Sequence, residues 1–309
     1  MASENSHWSH QTERGSIIGM SIMLWLHKVG GRKVFSVVLF PVMLYFFLFV
    51  KRARRSSYDF LSQVYEHGGS VFTRKPGYWH VFKHFLVFGE SILDKLSVWS
   101  GGVVSDQIVF PHRDMLRARI REGKGGVILV SHLGNLEVCR AMCTQTPELK
   151  LNVLVHTHHA EKFNGLLNKI NPESSLTFFQ VSEIGPDTAL ILKQKVDNGE
   201  YLAIVGDRIP ISSQRICEVP FLGKPARFPQ GAFIIASIMK CPVFTLFCVK
   251  QSGQFRIDVS LFSEQIRLNR QDRVETLTAC TSEYVHKLEW YAQHYPYQWY
   301  NFYPFWGDA

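Results

Sequence analysis

From Gly125 onward the chain alternates short apolar runs with stretches of helical periodicity, which confines it to folds in which strands are joined through helices. Strands are expected at 127–130, 151–156, 176–181, 201–205, 243–249 and 255–261, and helices around 136–143, 161–170, 186–196, 232–239 and 273–293. In the last helix Val274, Leu277, Thr281, Tyr284, Leu288 and Tyr291 recur every three or four residues and make one core-facing stripe. The helix at 232–239, rich in small apolar residues, reads as core packing and not as the lining of a ligand tunnel. No internal repeat or low-complexity linker interrupts the pattern.

The chemistry concentrates where the first of these strands ends, in Ser131-His132-Leu133-Gly134-Asn135-Leu136-Glu137. Residues five apart on one straight helix diverge by roughly 140°, so His132 and Glu137 meet only if the histidine sits in the turn. Gly134 lets the chain bend, Asn135 is a good N-cap, and Glu137 then falls in the first helical turn with its carboxylate able to reach back. A carboxylate so placed orients the imidazole, fixes its tautomer and stabilises the imidazolium formed when the ring takes a proton from a hydroxyl. The plain alternative is a strand-capping histidine beside an acid favoured by the helix dipole.

Asp207 and Arg208 follow the strand at 201–205 through Gly206, so they are expected at the same sheet edge as His132, where open α/β sheets bind ligands. Arg208 suits a phosphate or a polarised carbonyl, and Asp207 suits the positioning of Arg208 or of a substrate hydroxyl. Lys224 and Arg227 lie in a Pro/Gly-rich segment, 220–231, read as a substrate-facing loop; the pattern does not choose between the two bases. His156 and His158 share a strand face and His159 and Asn164 follow, but two imidazoles do not make a metal site.

Residues 34–50 are apolar except for Ser36, with Pro41 inside and basic clusters on both sides, Arg32-Lys33 and Lys51-Arg52-Ala53-Arg54-Arg55. At 1.5 Å per residue this stretch reaches about 25 Å, the short limit for crossing the hydrocarbon core, and charge on both flanks gives no orientation. Spanning and in-plane docking are both compatible with it, the latter helped by the amphipathic stretch 17–26. A cleaved signal peptide fits worse, because the run starts far from the N-terminus and no small-residue cleavage site precedes the arginines. Net charge +8 favours an anionic partner, and 46% hydrophobic content turns that expectation from nucleic acid toward a bilayer with acidic headgroups. A basic amphipathic helix at 112–121, carrying Arg113, Arg117, Arg119 and Arg121, reads equally as a solvated face or an anion-contacting patch. The six cysteines lack C-x-x-C spacing and read as reduced core residues. The aromatic segment 297–306 is expected to pack on the core.

The H-x4-E spacing, with Gly206-Asp207-Arg208 and then Val219-Pro-Phe-Leu-Gly-Lys-Pro-Ala-Arg-Phe-Pro-Gln-Gly231 in order, resembles the lysophospholipid acyltransferase superfamily and its lipid A biosynthesis branch. Trp8, Glu13-Arg14-Gly15-Ser16 and Gly31-Arg32 carry the likeness toward the N-terminus. The resemblance implies an α/β fold, a mixed central sheet flanked by helices, behind an N-terminal hydrophobic membrane-anchoring helix. The expected organisation is an anchor at 1–56, a helical region at 57–124 and the acyltransferase core at 125–309. The implied activity is O-acyl transfer to a lipid or glycolipid hydroxyl, with His132 as general base, Glu137 orienting it, and Asn135, Asp207, Arg208, Lys224 and Arg227 at the substrate. No cofactor is implied beyond the thioester co-substrate, with acyl carrier protein preferred to coenzyme A. The implied setting is the cytoplasmic face of an inner membrane. A non-catalytic lipid-binding member of the fold and a thioesterase or lipid hydrolase using the same pair are the rival readings.

Overall fold

The computed structural model describes residues 34–99, 107–136, 149–155, 176–180, 186–209 and 215–306. The chain divides into two compact units, one of residues 1–97, 221–226 and 289–309, the other of residues 98–220 and 227–288.

The second unit is built on a seven-stranded sheet of order β1-β9-β8-β2-β5-β3-β4. Its strands are β1 (Ile108–Val109), β2 (Gly126–Val130), β3 (Leu151–Val155), β4 (Leu176–Gln180), β5 (Tyr201–Val205), β8 (Val243–Gln251) and β9 (Gln254–Ser263). All neighbours are parallel except β8 and β9, so the sheet is mixed, as expected. β2, β5 and most of β8 are buried along their length, which is why they read as unbroken apolar runs: a parallel strand covered on both faces has no wet side. β9 alternates, with Phe255, Ile257 and Val259 turned inward.

Central β2 has β5 on one side and β8 on the other, and the chain reaches them in opposite directions across the sheet. This is a topological switch point, where a crevice opens beyond the strand ends. Helices α4 (Arg113–Arg121), α5 (Pro186–Asp197), α6 (Gly231–Met239) and α7 (Arg273–His294) complete the described elements, α7 running on into the first unit. α4 feeds Leu116, Met115 and Ile120 into a cluster with Ile128, Val130, Tyr201, Phe244 and Phe255. α6 buries Ala232, Phe233, Ile234, Ala236 and Met239, as its composition predicts. On α7 the stripe holds at Leu277, Thr281, Tyr284 and Leu288, but Val274, expected inside, is 73% exposed in the first turn and Val285 is buried instead.

The segment 220–231, expected to be a loop, is a β-hairpin of β6 (Ile216–Phe221) and β7 (Lys224–Pro229) running into α6. Its two turn residues, Leu222 and Gly223, both have positive φ, 50° and 77°. That backbone matches the right-handed twist of a hairpin, and leucine at a position that favours Asn or Gly hid the turn from the sequence. The prolines are tolerated because a two-stranded ribbon leaves half its backbone groups unpaired.

The first unit contains α1 (Val34–Phe49), α2 (Lys51–Glu66), α3 (Tyr78–Trp99), the hairpin tip and the aromatic C-terminal segment. α1 and α2 meet at a 92° bend. Arg54 fixes the bend by donating to the Phe47 and Leu48 carbonyls at 2.7 and 3.0 Å, capping the orphaned C-terminal end of α1 with a cation. Trp299 packs edge-on against Phe60 and Phe221, and Trp306 stacks on Phe221, so the aromatic segment is core, as expected. The tip is held by its backbone: Gln63 donates to the Leu222 carbonyl at 2.7 Å and Glu289 accepts its amide.

His84 sits wholly inside this unit, accepting from the Ser57 hydroxyl at Nδ1 (2.8 Å) and donating from Nε2 to the Trp299 carbonyl (3.1 Å). One donor and one acceptor define a neutral ring. Burial pushes its pKa down from 6.5 to about 3, only partly opposed by the Trp299 carbonyl. The unfolded chain therefore binds a proton near pH 6.5 that the folded chain refuses, and stability present above pH 6.5 drains away by about 1.4 kcal/mol per pH unit as pH falls toward 3. Urea midpoints read by tryptophan fluorescence should fall between pH 7.5 and pH 5; equal midpoints would contradict this account of His84.

Candidate active site

Beyond Val130 the chain leaves the sheet and is pinned from both neighbouring strands. On the β8 side, Gly134 forms an isolated parallel bridge with Cys248, and the Asn135 amide donates to the Cys248 carbonyl at 2.8 Å. Gly134 has φ +79°, and a Cβ there would lie 1.8 Å from the Cys248 carbonyl oxygen, so no side chain fits. Asn135 is 4% exposed, and Leu136 is the last described residue of this segment.

On the β5 side the pin is Asp207. β2 and β5 pair in parallel with Val130 opposite Val205, so both chains run off the same edge at the same height. The Asp207 carboxylate, 1% exposed, accepts from His132 twice: Oδ2 takes the backbone amide at 2.9 Å and Oδ1 meets ring Nδ1 at 2.8 Å. An ionised carboxylate only accepts, so the arrangement places the ring proton on Nδ1 and the basic lone pair on Nε2. The imidazole is 32% exposed. The pair thus has the anatomy of a general base: a buried acid that sets tautomer and orientation, and a ring that is partly open to solvent.

Asp207, expected at a substrate, is therefore engaged with the imidazole. What the sequence concealed was strand order, since only the adjacency of β2 and β5 brings together residues 75 apart. Glu137, the acid of the H-x4-E spacing, lies outside the described residues, as do His156, His158, His159 and Asn164. Arg208 follows Asp207 at the same edge, partly buried. Arg227 is 44% exposed and pairs loosely across the hairpin with Glu218 at 3.8 Å. Lys224 is exposed at the hairpin tip, in the first unit, where its charge acts on the Asp59 carboxyl. One further residue enters from α7: the Tyr284 hydroxyl donates to the Val130 carbonyl at 2.9 Å. Its sequence position marked it only as core.

Among the described residues no group of three His, Cys, Asp or Glu side chains converges as metal ligands. Cys217, Cys241 and Cys248 are buried free thiols and Cys280 is partly buried, in keeping with reduced core cysteines. Burial raises the Cys241 thiol to about 11, which leaves it protonated and unreactive.

A search of curated proteins gave no significant match. The family profile described as bacterial lipid A biosynthesis acyltransferase matches residues 87–306, a span that takes in His132, Asp207, the β6–β7 hairpin and α7. With most of its 309 residues under that profile, and with the acid–base pair at the sheet's switch point inside it, the chain belongs to the bacterial lipid A biosynthesis acyltransferase family.

Proposed function

We propose that this protein transfers a fatty acyl group from a thioester to a hydroxyl of a lipid or glycolipid acceptor, with His132 as general base. The observation that carries the proposal is the His132–Asp207 pair, held at two points with the imidazole partly exposed at the end of β2. Nε2 takes the acceptor's hydroxyl proton as the oxygen attacks the thioester carbonyl carbon. The tetrahedral oxyanion is met by backbone amides or by Arg208. Its collapse breaks the C–S bond, and the departing thiolate takes the proton back from the imidazolium, giving ester and thiol. Asp207 holds the ring throughout, and Glu137 is assigned to the same imidazole as a second acid. Asn135, Lys224 and Arg227 keep their assignment to substrate. The donor in this reading is acyl carrier protein in preference to coenzyme A, and no other cofactor takes part.

The reaction is placed at the cytoplasmic face of an inner membrane, with the first unit docked on it. No single described helix is long and apolar enough to cross a membrane; α1 and α2 pass that test only together, and they are bent. α1 instead shows solvent several apolar side chains, with Val37 at 73%, Phe40 at 48%, Leu48 at 51% and Phe49 at 66% exposed. Lys51, Arg52 and Arg55 follow at the start of α2. An apolar face ending in cations suits a helix lying in the plane of an anionic bilayer.

Mass spectrometry of products from acyl thioester and total membrane lipid tests the chemistry. His132→Ala should abolish transfer, Asp207→Asn should lower kcat about 10²- to 10⁴-fold, and Glu137→Ala should reduce it strongly. Undiminished transfer by the His132 variant would reject the mechanism, and free fatty acid in place of an acylated lipid would make the protein a hydrolase. Docking is tested separately: replacing Val37, Phe40 and Phe49 together by Asp should lower co-sedimentation with anionic vesicles about tenfold or more. Wild-type sedimentation would remove that face from the proposal.

A further inference from the structure

Tyr284 is the one α7 side chain shown above to reach the strand ends that carry His132 and Asp207. It is completely buried, with Phe233 meeting its ring edge-on at 6.3 Å. The Val130 carbonyl that accepts its hydroxyl also accepts the Gly206 amide at 2.9 Å. The Ser131 side chain, the Gly206 backbone and the Asp207 charge all act on the phenol oxygen. Ser131 Oγ in turn accepts the Leu133 amide at 3.2 Å. One hydroxyl thus bonds the end of β2 and lies against the residue before Asp207. Burial holds the phenol well above its ordinary pKa, so it remains a donor.

The ring is as closely engaged as the oxygen. A Cβ on Gly206 would lie 2.8 Å from Cζ and 3.1 Å from the hydroxyl oxygen of Tyr284, so the glycine of Gly206-Asp207-Arg208 is what admits the phenol. Packing of α7 on the sheet would be served by phenylalanine. The Val130 carbonyl already has its ladder donor in Gly206, so the fold does not need a second one there. A buried hydroxyl is costly unless bonded, and here it is bonded where the two site-bearing segments diverge.

We propose that Tyr284 is a positioning residue for the His132–Asp207 pair, its hydroxyl tying together the ends of β2 and β5 so that ring and carboxylate keep their distance and angle. The proposal rests on the reading of His132 as general base. A small displacement of a base from its reacting proton is enough to slow a reaction by as much as about 100-fold.

The test is Tyr284→Phe in the full chain, which keeps the ring and removes the hydroxyl. Expected are a fall in kcat of about 10- to 100-fold with KM for donor and acceptor essentially unchanged. The unfolding midpoint should change little. The His132 Nδ1–H proton resonance, identified by its disappearance in His132→Ala, should move upfield or broaden. Wild-type kcat or an undisturbed resonance in the folded variant overturns the proposal. Should Tyr284→Phe fail to fold, Ser131→Ala carries the test, with the same changes expected in weaker form and the same results overturning it. If the general-base reading itself fails, His132→Ala will still transfer acyl groups; the resonance then decides the positioning role independently.

Discussion

The structure of the site depends on the register of two parallel strands. β2 and β5 pair over five residues, from Gly126 with Tyr201 to Val130 with Val205. His132 and Asp207 stand two residues beyond that last rung on their respective chains. A slip of one residue would turn every side chain of one strand to the opposite face, and it would carry the carboxylate away from the imidazole. The register is enforced by what the strands bury: Val127, Leu129, Leu202 and Ile204 have no more than 5% exposure, so a slipped sheet would have to break its core on both sides. The burial of a charged Asp207 is compensated locally by the amide and ring of His132, both of which point at it. Chemistry and stability therefore draw on the same few contacts.

That dependence explains what could be read from the chain and what could not. The strands β2, β5, β8 and β9 were legible because their apolar runs and alternation are local, and so was His132, which stands at the end of the clearest of them. Gly134 was legible as a bend, although its second constraint, the Cys248 carbonyl against its Cα, comes from a strand more than a hundred residues later. Asp207 was placed at the right edge but assigned to substrate, because a carboxylate five residues from a histidine is a more visible partner than one on a strand whose neighbour is unknown. β1, two residues long, has no periodicity to detect. The β6–β7 hairpin was obscured by its own prolines and by leucine in a left-handed turn position, where the closing turn of β8–β9 uses the more familiar Ser252-Gly253.

The first unit follows a different rule. Its interior is aromatic and the enclosed imidazole of His84 is kept neutral by a hydroxyl and a carbonyl, whereas α1 exposes Val37, Phe40, Leu48 and Phe49. Single apolar residues on a surface need no explanation, but several on one helix do. The cations at the start of α2 sit where that helix ends, and Arg54 is diverted from them to close the bend.

The composition of that unit from distant pieces of chain has a consequence for its birth. Trp299, against which Phe60 and His84 pack, lies 215 residues downstream of His84, with the whole sheet in between. During synthesis α1, α2 and α3 leave the ribosome with the seat for Trp299 vacant, and a loop of more than two hundred residues must close to fill it. Nascent helices in that state hold unsatisfied greasy surface for most of the time that translation takes. The unit that contains α1 is therefore completed only after the strands of the sheet have been made.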